Sequence, residues 1–168
     1  MQKQRRVFGD EDLSMLNPND FYNGMIRGVK GMLELIEKVH YGPSGTNHNI
    51  LITTLTGNNC QVLHEESKWM IVNRRDVWEK LITRHYKWID AFVKVYDIYI
   101  GEDARECYEL LKKEVTLDNR TIRKAFGQSF TELALKYKKV SQEILHEKPR
   151  SVKDEAMEMI VEDFDPAF

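Results

Sequence analysis

The chain has 168 residues, 42% of them apolar and 31% charged, with a net charge of −2. That size and balance fit one globular domain with its own core and exclude a disordered or fibrous chain. The slight acidity argues against a dedicated nucleic-acid binder, which is usually basic overall, but leaves room for a local basic face.

Residues 1–16 read as a flexible N-terminal arm: a basic start, then Asp10-Glu11-Asp12, then Leu13, Met15 and Leu16, which can dock on the body. No apolar stretch of signal-peptide length follows the basic start, so a secreted protein is not expected. Residues 17–148 read as a single globular domain. Asn17 caps a first helix that Pro18 opens. Over about residues 19–40, Phe21, Met25, Val29, Met32, Ile36 and Val39 share one helix face. Gly24, Gly28 and Gly31 lie inside it, so either another backbone packs close or the first half of the helix is weak.

Residues 42–47 carry turn chemistry. The β-rich run 50–56 leads through Gly57-Asn58-Asn59, a hairpin signal, to a return strand at 60–64 and a short third strand at 69–72. Asn73 then caps a long helix over about 74–100, with Trp78, Ile82, His85, Ile89, Phe92 and Tyr96 on its seam. Gly101 stops it. A shorter helix covers about 102–115, and a fourth runs to about 147 with Ile122, Phe126, Phe130, Leu133, Tyr137, Val140 and Ile144 inward. Residues 149–168 form an acidic amphipathic segment whose apolar side includes Met159, Ile160 and Phe164, a pattern that closes a core or docks on a partner. The expected fold is therefore α+β and mainly helical: four main helices around a small antiparallel β-meander, plus a short C-terminal amphipathic helix.

The residues offer little catalytic chemistry. Cys60 and Cys107 stand in no paired motif, so neither a disulfide framework nor a cysteine zinc site is expected. The loop at 42–49 has glycines, Ser44 and Thr46, but it leads into a strand and lacks the lysine of a phosphate-binding loop. His64, Asn73 and His85 have the residue types of a His-Asn-His nuclease in order. Asn73 is better used as a helix cap, and His85 lies on an apolar seam. No enzyme, metal or cofactor is expected. Arg74 and Arg75, followed by Lys80, Arg84, Lys87 and Lys94 on one helix face, form a basic stripe able to follow phosphates. A solvated helix face is the commoner use of such a pattern. Nucleic-acid binding is accordingly expected to be weak and non-specific.

Residues 35–82 carry His40-Tyr41 at a helix end, Asn47-His48-Asn49-Ile50 leading into a strand, a lone Trp69, and Arg75-Asp76-Val77 through Leu81-Ile82 in the next helix. This block resembles a module recurring in uncharacterised proteins of large nucleocytoplasmic DNA viruses. The resemblance implies a viral protein, found inside the host cell or within the virion, and carries no catalytic residues. The first functional expectation is a non-enzymatic interaction or virion-associated structural protein, with a protein partner or self-association. The second is a nucleic-acid-associated protein using residues 74–94. No membrane partner is expected, because no apolar run approaches the ~18 residues of a span. His40, Asn47, His48, Asn49 and Trp69 are read as the scaffold of the helix-to-sheet corner, with a polar partner site as the competing reading.

Overall fold

The computed structural model describes residues 4–116 and 120–147. In chain order the elements are α1 (Pro18–Ile26), α2 (Gly28–His40), β1 (Ile50–Leu51), β2 (Asn59–Glu65), β3 (Lys68–Asn73), α3 (Arg74–Val95), a 3-10 turn (Asp97–Tyr99), α4 (Glu102–Thr116), α5 (Arg120–Leu135) and α6 (Lys138–Glu147). The strands form an antiparallel meander in the order β1-β2-β3. The mixed, mainly helical fold is thus the expected one. The residues 149–168, with Met159, Ile160 and Phe164, lie outside the described part. No helix among the described residues is long and apolar enough to cross a membrane.

Two expected helices are each broken in two. The first breaks at Arg27, because Gly28 takes a φ of +62° that only glycine adopts without strain. The break folds α2 back on α1. A Cβ on Gly31 would lie 2.5 Å from the Asn23 carbonyl oxygen and 3.0 Å from the Gly24 Cα. The expected close backbone approach is thus at Gly31, within the chain, while Gly28 breaks the helix in two. The last helix breaks at Lys136 and Tyr137, whose N–H groups bond three residues back, to Leu133 and Ala134. Tyr137 stacks on Tyr41 at 4.8 Å and donates to Glu37 at 2.6 Å, fixing the corner.

The sheet is covered on both faces. Ile50, Cys60, Val62, Met70 and Val72 face the helices in the main core, with Met25, Ile36, Leu81, Ile89, Leu111 and Phe130. On the other face, Leu51, Leu63 and Trp69 pack with Ile144 of α6 and with Val7. This alternation follows from the two-residue period of a strand. Trp69 therefore seats α6 against the sheet.

The arm is not loose where it is described. Phe8 is 1% exposed and belongs to the main core. The backbone N–H groups of Arg6 and Phe8 bond to Thr46 and Leu63. The Asn47 side chain accepts from the Asp12 N–H and donates to its carbonyl, as a second strand would. The acidic composition hid this, because an acid run ordinarily marks solvated chain. Here Glu11 is drawn inward by a half-buried cation, Arg84.

Candidate anion-binding cleft

The family-like block comes together, and its polar groups face each other inside the protein. His40 Nδ1 lies 2.9 Å from Asn49 Oδ1, and the Asn49 amide donates to the Arg6 carbonyl and to Glu11 Oε1, each at 3.1 Å. Glu11, with a side chain 1% exposed, also takes the Gly9 N–H and an Arg84 guanidinium N–H at 3.1 Å. His85 sits beside His40 and its Nδ1 bonds to the Leu81 carbonyl, as a helix-lining histidine does. Burial lowers the pKa of His40, partly opposed by Glu11, and lowers that of His85 further. His48 is buried with its Nε2 3.0 Å from Ser141 Oγ and its ring edge-on to Tyr41. Burial, with Arg5 nearby, pushes it down to about 4. His40, Asn47, His48 and Asn49 are 3% exposed or less, which leaves no surface to offer a ligand. The block joins arm, corner and α6, which supports the scaffold reading.

The basic stripe loses Arg84 to the same cluster. Arg84 is spent on Glu11, and its guanidinium lies 5.1 Å over the Phe8 ring. Lys94 pairs with Asp90 at 2.9 Å. Lys87 is exposed and Lys80 half-buried. Reversing Lys80, Arg84 and Lys87 together thus attacks the fold through Arg84 and is no clean test of a binding face.

Arg74 and Arg75 lead elsewhere. They line a cleft of about 870 Å³ between the start of α3 and the first turns of α5, where Arg120, Arg123 and Lys124 face them. Arg74 is 8% exposed and held by three bonds, to the carbonyls of Asn59 and Leu55 and to Thr54 Oγ1. No carboxylate pairs with it among the described residues. Glu79 is shared between Arg75 at 3.2 Å and Arg123 at 3.7 Å. Arg120 and Lys124 are exposed and have no ion pair among the described residues. Five cations line the cleft against one carboxylate, Glu132. Trp78 completes the wall, tilted against Phe126 at 6.3 Å.

Arg120, Arg123, Lys124 and Trp78 were not singled out from the sequence as one site. A signal was present. The first turn of a helix favours acidic residues, because its free N–H groups carry partial positive charge. The first turn of α5 has none and opens on Arg120, with Arg123 and Lys124 following. Only the fold shows that these face the basic start of α3.

The His-Asn-His pattern does not assemble a metal site. Asn73 Oδ1 caps α3 through the Arg75 N–H, and His85 is enclosed. No group of three metal-binding side chains occurs among the described residues. Comparisons with protein-family models, curated proteins and solved structures return no match.

Proposed function

We propose that this is a nucleic-acid-associated protein that holds the phosphates of a strand in the cleft between α3 and α5. The observation that carries the reading is a buried guanidinium, Arg74, that has no acidic partner among the described residues and lies beside four more cations. Like charges gathered at a concave, partly desolvated surface repel one another, and a bound polyanion relieves that repulsion. The net charge of −2 is compatible with this, because the field is local. It also implies modest affinity and strong salt dependence. Three or four phosphate contacts on a single strand give a log–log salt slope of roughly −2 to −3.

Fluorescence anisotropy with a labelled oligonucleotide tests the reading. Arg75→Glu with Arg120→Glu and Lys124→Glu is expected to abolish binding and leave the thermal melt unchanged, since these side chains are exposed. Binding that survives the triple reversal refutes the cleft.

A second reading, contact with a protein partner, is favoured by one patch. Val95, Ile98 and Tyr99 are 73–83% exposed at the corner after α3, a grouping of large apolar side chains that solvent alone does not favour. Ile98→Asp is expected to abolish self-association or capture of a partner if that corner is an interface; light scattering and co-purification read the two cases. On the resemblance of residues 35–82 alone, we propose for both readings an origin in a large DNA virus. Detection of the protein in purified virions or infected cells tests that origin.

A further inference from the structure

We infer that the cleft takes an unpaired nucleotide of a single strand, with its base against Trp78 and its phosphates on the surrounding cations. This rests on the nucleic-acid reading above and goes further by naming what enters the cleft.

Uncharged groups carry the argument. The cations account for phosphate, but phosphate does not call for the other groups that share the wall. The side-chain amides of Asn58 and Gln128, the Trp78 indole N–H and the Thr131 hydroxyl all line the cleft and have no hydrogen-bond partner among the described residues. Amides that donate and accept, set beside an aromatic ring, are what recognise the edge and face of an unstacked base. A duplex hides its base faces in the stack and presents phosphates on a convex surface, which a concave site does not match. The cleft, at about 870 Å³, is within the ~300–1,000 Å³ range of sites that enclose a small organic ligand.

The position of Trp78 is itself built in. A Cβ on Gly127 would stand 2.8 Å from Trp78 Nε1 and 2.9 Å from Cε2. Only glycine at that point of α5 lets the indole lie against the helix; any larger residue displaces it. One turn earlier on α3, Arg74 is locked by the carbonyls of Leu55 and Asn59, so the guanidinium and the loop bearing Asn58 form one unit. The indole and the guanidinium are thus set before a ligand arrives, which lowers the ordering cost of binding.

The test uses the intact protein at low salt with four labelled or competing probes: oligo-dT and oligo-rU of about ten nucleotides, within the usual single-strand site size, a duplex of the same length, and inorganic polyphosphate. Both single strands are expected to bind at least about tenfold more tightly than the duplex, as follows if bases as well as phosphates are engaged. The two strands separate RNA from DNA as the source of the nucleotide. Trp78→Leu is expected to weaken single-strand binding by roughly 5- to 150-fold, the equivalent of one lost base–aromatic stack. Because Trp78 also touches the core, Asn58→Ala with Gln128→Ala serves as the second variant: it keeps polyphosphate binding and loses most of the preference for single strands. Duplex or polyphosphate binding as tightly as the single strands, with both variants behaving as wild type, overturns the inference and leaves the phosphate-binding reading standing. No binding of any probe, or binding unaffected by reversing Arg75, Arg120 and Lys124, overturns both.

Discussion

Glu11→Gln is the sharpest probe of how the arm is held. The substitution keeps the shape of a side chain that is 1% exposed and removes only its charge. Glu11 Oε1 takes the Gly9 N–H at 2.9 Å and the Asn49 amide at 3.1 Å, while Oε2 takes Arg84 at 3.1 Å. A glutamine satisfies the first pair with its oxygen and then turns its NH₂ toward the Arg84 guanidinium, donor against donor. Breaking a buried ion pair by removing one partner costs ~3–5 kcal/mol. Arg84 retains 20% of its side-chain exposure and its place over Phe8, so the lower end applies, about 3 kcal/mol. For a domain with ~5–15 kcal/mol of stability this is a large fraction. Urea denaturation at neutral pH reads it as a midpoint lowered by roughly 1.5 M at an m-value near 2 kcal/mol/M. Hydrogen exchange is expected to speed most at the Phe8 and Gly9 amides. Adding Arg84→Met to Glu11→Gln is expected to cost less than the two changes separately, because no buried charge is then left alone. A midpoint shift below about 0.3 M, or strict additivity of the two changes, would refute the claim that this pair clamps the arm.

Three further outcomes follow from the same packing. Trp69→Ala, which empties the space between the sheet and Ile144, is expected to cost ~3–5 kcal/mol in chemical denaturation; a cost near zero removes Trp69 from the scaffold. Gly31→Ala, whose Cβ would meet the Asn23 carbonyl at 2.5 Å, is expected to cost ~1–3 kcal/mol by overpacking the α1–α2 contact, read as a lower melting temperature; an unchanged or raised melting temperature shows that the contact yields. The His48 pKa in the folded state, about 4, lies below its ordinary ~6.5, so the unfolded chain binds the proton first as pH falls. Stability is therefore complete above ~pH 6.5 and is lost between there and pH 4, by up to about 3 kcal/mol from this residue, with His40 and His85 acting in the same direction. Denaturation midpoints that do not fall between pH 7 and pH 5, or a fall that His48→Gln leaves untouched, count against this account.

Local order was legible in the sequence wherever a periodic pattern or a cap carried it. The seam from Trp78 to Phe92, the Asn73 cap and the meander at 50–72 all depend on near neighbours. They appear as read, apart from element ends. Three things did not show at that range. An acid run that looks solvated supplies a buried carboxylate, because Arg84 lies 73 residues away. A histidine with no local task is bonded to Ser141, 93 residues on. A helix period that continues smoothly past residue 135 hides a turn set by Glu37 in α2 and by Tyr41 just after it. The candidate site divides the same way. Arg74 and Arg75 were visible as cations at a helix start, and sequence extended them along their own helix. The fold puts both on the wall of a cleft, against Arg120, Arg123 and Lys124. The periodicity of a sequence says which side of a helix is dry, but which charges meet across a gap is decided by where the chain returns. That depends on contacts far apart along the chain, and no local pattern records them.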